Sequence, residues 1–363
     1  MRIALDATPL TLSSGGLQRY VSELSLALAR EFPEDEYVLL SDQPFSMPPD
    51  PPPNLMRGRG VETYADKHWW LWGLRGAMRD THAELFHGTN FEVPYLGGVP
   101  AILTIHDLSP WRESGWHSAT RRVRQRTPWL LKFHRARAII TVSEAVRREV
   151  IGYFGVSSEI VRAIPLAASE RFRPTPPGGS GVNPFFLFVG TLEPRKNISD
   201  LVDAWRATRT ETGAELVIAG RCRSDFTPIA SRRLGTESAP NEDGLILLGE
   251  VADDELPRLY SEALAFVYPT HYEGFGLPVL EAMQCGCPVI TSEDPAVTEV
   301  SAGAAIHARS VEEIAESMRA IASRGEVRAS MRAAGLRRAA EFSWSRTARA
   351  THAVYAETLG EKR

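Results

Sequence analysis

Short apolar runs alternate with longer amphipathic stretches along the whole chain, and this rhythm constrains the possible folds more than any other feature. Most of the runs are apolar throughout, which is typical of strands that helices cover on both faces. Between the first two runs, apolar residues recur at helical spacing: Leu17, Tyr20, Val21, Leu24 and Leu28. The succession of strand, helix and strand predicts βαβ units and parallel sheets, and therefore an α/β protein. The predicted strands are Arg2–Ala7, Tyr37–Ser41, Leu85–His87, Ala101–Ile105, Ala138–Val142, Ile160–Ile164, Phe185–Gly190, Glu215–Ala219, Leu245–Leu248, Ala265–Tyr268, Pro288–Thr291 and Ala304–His307.

One segment near the midpoint of the 363 residues interrupts this rhythm. The stretch Pro174–Gly181 reads PTPPGGSG, and its proline and glycine content suits neither a helix nor a strand. It predicts an interdomain linker over residues 174–183. We therefore expect two Rossmann-like domains, at residues 1–173 and 184–345. A ligand is expected in the cleft between them, at the carboxyl ends of the strands.

Composition excludes several classes of protein. Lys and Arg total 41 against 45 Asp and Glu, so the formal net charge is −4 and a general nucleic-acid binder is not expected. Three Cys cannot build a disulfide framework and fit a reducing compartment. Met1 leads straight into a predicted strand without the features of a signal peptide, and no stretch approaches the roughly 18 apolar residues of a spanning helix. We expect a soluble, cytoplasmic protein.

The segment YPTHYEGFGLPVLEAMQCG has the most specific pattern in the chain. Gly274 and Gly276 allow backbone amides to approach a ligand closely, and a helix predicted to start at Pro278 presents unpaired N–H groups to an anion. Glu273 precedes this helix and Glu281 lies about one turn inside it, so the two carboxylates can address different parts of one ligand. The alternative is a capped helix with two solvent-exposed glutamates.

This segment resembles the Glu-x7-Glu signature of the retaining glycosyltransferases of family 4. Other motifs of that family occur in the family's order and cover nearly the whole chain. A glycine pair, Gly15 and Gly16, follows the first strand, and His106 closes a later strand in the tripeptide IHD. Gly190–Asn197 opens the second domain as GTLEPRKN, and Leu248–Val251 follows a further strand. The Glu-x7-Glu segment and the Arg-Lys-Asn motif are specific, whereas the glycine pair and His106 alone are weak signals.

The resemblance implies the GT-B architecture, in which two Rossmann-like domains face each other across a central cleft. The first domain would lie on the acceptor side, and the second would hold most of a nucleotide-sugar donor. The last helix of such proteins commonly crosses back, which would assign residues 346–363 to the first domain. Arg195 and Lys196 would bind the diphosphate, where two cations offset the charge that grows on the leaving nucleotide. Glu281 would accept hydrogen bonds from the ribose, and Glu273 would contact hydroxyls of the transferred sugar.

The resemblance also places weaker signals in the donor site. Backbone groups near Gly276 and Leu277 would position sugar and phosphate, and those near Val251 would contact the base. Thr191 belongs to the motif that opens the second domain and is carried over as a donor-binding residue.

Two first-domain features have a structural alternative. His106, at the carboxyl end of a strand, would touch the donor sugar, although a lone histidine beside an aspartate is often structural. Gly15 and Gly16 would let the loop before the first helix approach the donor phosphate or the acceptor. A simple strand-to-helix turn explains the glycine pair equally well.

On this resemblance the chain transfers a hexose with retention of anomeric configuration. No enzyme nucleophile is evident, so the departing diphosphate would accept the acceptor's proton, and Glu273 would orient the substrate rather than attack it. No Asp-x-Asp occurs, and Arg195 and Lys196 would replace a divalent metal, so neither a metal nor another cofactor is expected. The catalytic candidates are His106, Glu273, Arg195 and Lys196.

The donor and the acceptor are less constrained. Relatives with a similar His-Asp-x-x-Pro region favour GDP-mannose, uridine diphosphate sugars stay open, and the expected acceptor is a glycan or a lipid-linked precursor in polysaccharide or lipopolysaccharide assembly. Two alternatives stay open as well: another GT-B sugar-nucleotide enzyme, such as an epimerase or a phosphorylase, and a non-catalytic two-lobed sugar-binding protein. A dinucleotide-dependent oxidoreductase is disfavoured because Gly-x-Gly-x-x-Gly is missing after the first strand.

Two stretches of the first domain combine basic and aromatic residues. Arg121–Arg137 contains seven basic residues and no acidic one, with a helix predicted to start at Thr127 and Pro128, and Trp69–Trp72 contains three tryptophans. Such stretches can seat a peripheral protein on an anionic membrane. The alternative for Trp69–Trp72 is burial in the core, which we favour. For Arg121–Arg137, arginines that are solvated or face an anionic acceptor are an equal alternative.

Two further features depart from the family pattern or suggest other chemistry. Thr298 stands where relatives usually have a proline before the residue equivalent to Glu299, so this loop is assigned no role near the donor. Cys285 and Cys287 form a Cys-x-Cys pair that could bind a metal. Because the chain has no second pair, two small buried residues are the favoured interpretation.

Overall fold

The chain forms two compact units in a computed structural model that describes residues 1–12, 15–60, 68–112, 121–176, 183–222 and 244–360. The first unit contains the described residues of Met1–Glu113, Ala119–Ala167 and Ser343–Arg363. The second unit contains those of Ala168–Phe342. Part of the predicted linker, residues 177–182, lies outside the described ranges.

The first unit is built on a parallel sheet of seven strands. In chain order these are β1 (Arg2–Asp6), β2 (Glu36–Leu40), β3 (Leu55–Arg57), β4 (Leu85–Gly88), β5 (Ala101–Ile105), β6 (Ala138–Thr141) and β7 (Val161–Ala163). Their order in the sheet is β3-β2-β1-β4-β5-β6-β7, so the sheet grows from β1 toward both edges, as in a Rossmann fold. Because every pairing is parallel, the carboxyl ends of the strands lie at one edge, where the connecting segments can build a site.

The second unit repeats this plan with a parallel sheet of six strands. They are β8 (Phe185–Val189), β9 (Glu215–Ala219), β10 (Leu245–Gly249), β11 (Ala265–Tyr268), β12 (Val289–Thr291) and β13 (Ile306–His307). The order is β10-β9-β8-β11-β12-β13, again with the first strand of the unit in the middle. The central strands are apolar and buried, which is the pattern of a sheet covered on both faces.

Helices connect successive strands in both units. They are α1 (Gly16–Glu31), α2 (Leu74–Asp80), α3 (Arg121–Lys132), α4 (Glu144–Phe154), α5 (Ile198–Thr212), α6 (Leu256–Glu262), α7 (Leu277–Gln284), α8 (Pro295–Ser301), α9 (Val311–Ser323), α10 (Gly325–Ala339) and α11 (Trp344–Leu359). Serine side chains cap several of them, since Ser143, Ser310 and Ser343 each accept a hydrogen bond from a first-turn amide. Within the described ranges, no helix is both long and apolar enough to span a membrane.

The last helix, α11, belongs to the first unit. Tyr355 of this helix places its hydroxyl 2.7 Å from Nδ1 of His87 at the core of the first sheet. Thr347 donates to the Pro165 carbonyl at 2.7 Å. Since both helical side chains make buried or partly buried hydrogen bonds with β4 and the segment after β7, α11 is an integral part of this unit.

Each predicted strand occurs within two residues of its predicted ends. The strand β3 was not predicted. Its three residues are too few to show a pattern, and only Leu55 among them is buried. It pairs with β2 at the edge of the sheet.

The predicted helix start at Thr127 and Pro128 is wrong, because both residues lie inside α3, which is helical from Arg121 onward. Pro128 lies inside α3 and has no N–H to donate to the Arg124 carbonyl one turn earlier. The Trp111 indole Nε1 donates to that carbonyl at 3.3 Å. The Trp111 indole thus replaces the hydrogen-bond donor that the Arg124 carbonyl lacks inside the helix. A sequence rule that interprets proline as a helix start cannot anticipate this contact with another segment.

Candidate active site

The two adjacent cations of the Arg-Lys-Asn motif lie in a short turn between β8 and α5. Pro194–Lys196 forms one turn of 3-10 helix. Asn197 then takes a left-handed conformation with φ 53°, which asparagine tolerates better than most residues, and α5 follows. The chain changes direction here, and the Lys196 residue is only 6% exposed.

Lys196 is held by a buried carboxylate. Its Nζ lies 2.5 Å from Oε1 of Glu273 and 2.5 Å from the Tyr268 hydroxyl. Thr270 and Tyr268 donate to the same carboxylate oxygen at 2.8 and 2.9 Å. A buried charge is costly unless it is paired and hydrogen-bonded, so this network allows the ion pair to exist in the interior.

Arg195 contacts the other oxygen of the Glu273 carboxylate. Its Nη1 lies 3.4 Å from Oε2 of Glu273 and donates to the Tyr272 carbonyl at 3.0 Å, while its Nε donates to Glu193 at 2.8 Å. Arg195 and Lys196 are thus balanced by Glu193 and Glu273. We call Glu273 with Lys196, Arg195 and Tyr268 the Glu273 cluster.

Electrostatics fix the ionisation of the Glu273 cluster. Burial alone would raise the pKa of Glu273, but the charges of Lys196 and Arg195 outweigh burial and hold this pKa at about 2. Burial and the neighbouring Arg195 lower the pKa of Lys196, while Glu273 acts in the opposite direction. Burial raises the pKa of Tyr268, so its phenol stays protonated. Glu273 is therefore ionised throughout the neutral range and is a weak base.

The second glutamate of the signature is buried in α7. Gly276 precedes this helix with φ 96°, a left-handed conformation that favours glycine, and an added Cβ would lie 3.1 Å from Val297. Glu281 is 1% exposed, and the Tyr260 hydroxyl donates to its Oε2 at 3.4 Å. Because Glu273 is buried as well, the alternative of two solvent-exposed glutamates on a capped helix is wrong.

Asp294 supports the Glu273 cluster and is a residue that the motif analysis misses. Its Oδ2 accepts a hydrogen bond from the Glu273 backbone N–H at 3.3 Å. Its Oδ1 accepts from the N–H groups of Ala296 and Val297 at 3.0 and 3.1 Å, which caps α8. Burial raises the pKa of Asp294 to about 6. The pair Asp294 and Pro295, a capping residue before a proline at the first helical position, is the sequence signal that could have revealed it.

His106 lies at the carboxyl end of β5 in the first unit. Its Nε2 donates to the Thr89 carbonyl at 2.8 Å, since a carbonyl can only accept. The ring meets Tyr20 edge-on at 4.7 Å and lies 6.4 Å from Phe91. Burial lowers the pKa of His106, so the imidazole is neutral with its proton on Nε2 and an acceptor lone pair on Nδ1.

The remaining predicted donor residues occupy loops and helix starts. Gly15 has φ 116° and requires glycine, whereas Gly16 begins α1 in an ordinary conformation, and both residues are exposed. Thr191 follows β8 and Val251 follows β10, each half-buried, and Leu277 is the first residue of α7. The structure thus brings Arg195, Lys196 and Glu273 into direct contact in the second unit, while His106 and the glycine pair lie in the first.

Cys285 and Cys287 are free and buried, in agreement with the favoured interpretation. Burial raises the pKa of Cys285 to about 12, so this thiol is neutral. Across the described part of the chain, no group of three or more His, Cys, Asp or Glu side chains is arranged to hold a metal ion.

The tryptophans of Trp69–Trp72 divide between the core and the surface. Trp69 and Trp70 are 3% and 8% exposed, whereas Trp72 is 50% exposed. Burial in the core, the favoured interpretation, is therefore confirmed for the first two and wrong for the third.

Two family models match the chain. The model described as Glycosyltransferase Family 4 matches residues 14–168, and the model described as Glycosyl transferases group 1 matches residues 177–338. O-antigen chain mannosyltransferase B of Escherichia coli is 33% identical over 282 residues, which are 74% of this chain and 73% of the relative. Glycogen synthase of Mycobacterium tuberculosis is 29% identical over 394 aligned positions, covering 96% of this chain and 92% of the relative.

A solved structure shares the whole fold. The crystal structure of Anabaena Alr3699/HepE in complex with UDP and glucose superposes with a TM-score of 0.72 at 17% identity, and covers 99% of both chains. At this identity the likeness concerns the fold alone.

Proposed function

We propose that this chain, which belongs to glycosyltransferase family 4 and has the GT-B fold, transfers a mannosyl residue from GDP-mannose to a glycan or lipid-linked acceptor. The observation that carries the proposal is the Glu273 cluster, where two cations meet a buried carboxylate of the family signature. The name of the Escherichia coli relative supports mannose as the sugar. The name of the mycobacterial relative makes a glucosyl donor the competing choice.

The charge distribution of the Glu273 cluster suits the separation of charge in glycosyl transfer. As the bond to the diphosphate breaks, negative charge grows on the phosphate oxygens and positive charge grows at the anomeric carbon. Arg195 and Lys196 would stabilise the negative charge on the phosphate. The ionised Glu273 would stabilise the positive charge at the anomeric carbon and accept hydrogen bonds from the sugar. Because the groups are fixed in place before reaction, little reorganisation is needed in the transition state.

We propose retention without a covalent glycosyl-enzyme. Both oxygens of Glu273 already accept hydrogen bonds or ion pairs, from Lys196, Tyr268 and Thr270 on one side and from Arg195 on the other. With a pKa of about 2, this carboxylate is a poor nucleophile. The bond from the anomeric carbon to the diphosphate would break as the acceptor oxygen bonds on the same face, and the acceptor's proton would pass to the released diphosphate. Arg195 and Lys196 would supply the positive charge that a divalent metal supplies elsewhere.

The other residues would orient the donor. Glu281 would accept hydrogen bonds from the ribose, and the backbone near Gly276, Leu277 and Val251 would position phosphate and base. In the first unit, the acceptor lone pair on Nδ1 of His106 suits a hydrogen bond from a sugar hydroxyl, and this bond would form without protonation of the ring.

A transfer assay with the full chain tests the proposal. The donors are GDP-mannose, GDP-glucose and UDP-glucose, with a mannose oligosaccharide as acceptor, and one arm contains EDTA. We expect GDP-mannose to be consumed fastest, the product to keep the donor's anomeric configuration by NMR, and EDTA to have no effect. Consumption of UDP-glucose alone would replace the donor assignment, and an inverted product would exclude the mechanism.

A binding measurement supplements this assay because it does not depend on the acceptor. GDP at about one hundred times its dissociation constant should raise the free energy of unfolding by roughly 2.7 kcal/mol. A thermal-shift series with GDP, UDP and ADP should show the largest shift with GDP. Equal shifts with all three nucleotides would contradict specific recognition of the base.

A further inference from the structure

The first unit contains a cavity of about 670 Å³ that no predicted donor residue lines. This volume falls within the range of roughly 300–1,000 Å³ that is typical of small-molecule sites. Its wall combines aromatic and charged side chains, and includes Asp42, Trp70, Tyr95, Arg122, Arg126 and Trp129. The cavity is therefore large enough for a ligand and is chemically mixed.

The fold of the first unit explains where this cavity forms. Asp42 follows β2, Tyr95 follows β4 and α3 follows β5, so several segments meet beyond the carboxyl ends of parallel strands. Ligands of open α/β sheets bind at this edge. The segment Trp69–Gly73 is a π-helix, a rare conformation that often occurs at functional sites, and the Tyr95 N–H donates to its Trp70 carbonyl at 3.0 Å.

A buried glutamate organises the wall of the cavity. Glu92 is 7% exposed, and its two oxygens accept hydrogen bonds from Nε and Nη2 of Arg122 at 2.9 and 2.8 Å. The Tyr95 hydroxyl donates to Glu92 at 2.8 Å, and Nη1 of Arg126 lies 3.9 Å from it. Burial and the charge of Glu92 raise the pKa of Tyr95 to about 12, so this hydroxyl stays a donor. We call these four residues the Glu92 cluster.

The charges of the described residues around the cavity are balanced. Among the described Arg, Lys, Asp and Glu side chains that line it, Arg122 and Arg126 are positive and Asp42 is negative. Glu92 lies against both arginines and offsets the remaining charge. A balanced set of polar groups favours a neutral, hydroxyl-rich ligand over a phosphate, because each new anion would have to compete with Glu92 and Asp42.

The aromatic side chains offer flat apolar surface next to these polar groups. The rings of Trp70 and Tyr95 stack at 24° with centroids 6.4 Å apart, and Trp129 meets Tyr95 edge-on at 6.4 Å. Trp129 is 42% exposed, so its surface is open to a ligand. A sugar ring has an apolar C–H face that packs on such a ring and hydroxyls that bond to guanidinium and carboxylate groups.

We propose that this cavity binds a neutral oligosaccharide segment of the acceptor, with a sugar ring against Trp129 and hydroxyls bonded to Arg126 and Asp42. The identification of the ligand as acceptor rests on the proposed glycosyltransferase function, while saccharide binding itself does not. Tyr95 and Arg122, fixed by Glu92, position the wall against which the sugar lies.

Calorimetric titration of the full chain tests this proposal with four probes. Mannotriose and maltotriose are the neutral probes, and inorganic pyrophosphate and vesicles containing anionic lipid are the anionic ones. Trp129→Ala should weaken trisaccharide binding by about tenfold, as expected when an aromatic contact is lost. Arg126→Gln should weaken it by a similar factor. Trp72→Ala is the matched control, because Trp72 is 50% exposed and does not line the cavity.

The outcomes separate this proposal from the proposed function. Equal trisaccharide affinity in Trp129→Ala, Trp72→Ala and the unmodified chain would overturn the cavity assignment. So would binding of pyrophosphate or vesicles through Trp129 and Arg126 without trisaccharide binding. If the unmodified chain consumes no nucleotide sugar but binds a trisaccharide at Trp129, the transferase proposal fails and the saccharide site stands. If it transfers mannose and neither variant changes the acceptor KM or affinity, the cavity assignment fails alone.

Discussion

Two clusters, one in each unit, have nearly the same composition and very different exposure. In each, one glutamate meets two cations and one tyrosine: Glu273 with Lys196, Arg195 and Tyr268, and Glu92 with Arg122, Arg126 and Tyr95. The side chains of Lys196 and Arg195 are 7% and 14% exposed, whereas those of Arg122 and Arg126 are 46% and 45% exposed. Similar groups are therefore buried in the second unit and about half-exposed at the edge of a cavity in the first.

The difference in exposure predicts a difference in energy. Removing one partner of a buried ion pair costs about 3–5 kcal/mol, because the other charge is left without water or a counter-charge. A charge at the surface recovers most of its hydration, so a comparable change there costs about 0–1 kcal/mol. Substitutions at matched positions of the two clusters measure this contrast directly.

The largest expected effect is the loss of turnover in Lys196→Ala. This substitution removes a cation that would stabilise the leaving diphosphate, and we expect kcat to fall by a factor on the order of 10²–10³. The measurement is steady-state consumption of GDP-mannose with an oligosaccharide acceptor. Arg258→Ala is the control, because Arg258 is a 61% exposed cation of the same unit. Wild-type turnover in Lys196→Ala would remove the Glu273 cluster from the mechanism.

The next effect is on stability and compares Glu273→Gln with Glu92→Gln. The first substitution leaves the buried Lys196 without its carboxylate, while Arg195 keeps its contact with Glu193, so we expect a loss of about 3 kcal/mol. The second leaves two arginines that can turn to water, so we expect a loss of about 1 kcal/mol. Thermal unfolding of both variants under identical conditions is the measurement. A larger loss of unfolding free energy in Glu92→Gln than in Glu273→Gln would show that the exposure of the cations does not determine how much each ion pair stabilises the protein.

Sequence patterns could predict the Glu273 cluster because its members occupy fixed positions relative to strands and helices. The Glu-x7-Glu spacing puts one glutamate before α7 and the other inside it, and Arg195 and Lys196 follow β8 directly. What the pattern could not give is their mutual contact, which depends on how the β8 and β11 loops converge. Nor could it show that Glu273 contacts both cations.

The Glu92 cluster could not be predicted in the same way. Glu92 lies in an irregular segment, and its partners on α3 are 30 and more residues away, so no spacing rule connects them. The basic stretch Arg121–Arg137 indicated a charged surface, but the balancing carboxylate appears only in three dimensions. The wrong helix start at Pro128 has the same origin, because the partner that accommodates this proline is Trp111 in another segment.

Acidification should destabilise the first unit at a higher pH than the second. Burial lowers the pKa of His87 from 6.5 to about 3, so below pH 6.5 the unfolded chain takes up a proton that the folded unit excludes. The pKa of Glu273 is lowered from 4.5 to about 2, so its ion pair stabilises the second unit above pH 4.5 and is lost only below that value. Two buried carboxyl groups, Asp6 in the first unit and Asp294 in the second, have a pKa raised to about 6, so acidification makes their burial less unfavourable. Because each unit contains one such group, their contributions cancel when the two units are compared.

Hydrogen exchange at pH 7 and pH 5.5, corrected for the intrinsic rate, measures this contrast. We expect the amides of β4 and β5 to lose about 1 kcal/mol of protection, while those of β8 and β11 change less. His87→Gln removes one of the two buried histidines of the first unit whose pKa is lowered, the other being His106, and should therefore reduce the difference between the units. Equal loss in both sheets of the unmodified chain would show that His87 does not control the acid response.

The last comparison concerns the tyrosine of each cluster. In Tyr268→Phe, Lys196 and Glu273 each lose a buried hydrogen bond with no water to replace it, so we expect a loss of about 1–3 kcal/mol. In Tyr95→Phe, Glu92 keeps its two bonds from Arg122 and the cavity admits water, so we expect about 0.5–1 kcal/mol. Denaturant unfolding of the two variants gives both values. Each change removes a single oxygen atom, so packing alters little. Equal losses of unfolding free energy would mean that the burial of the surrounding cations does not determine how much each tyrosine hydroxyl stabilises the protein.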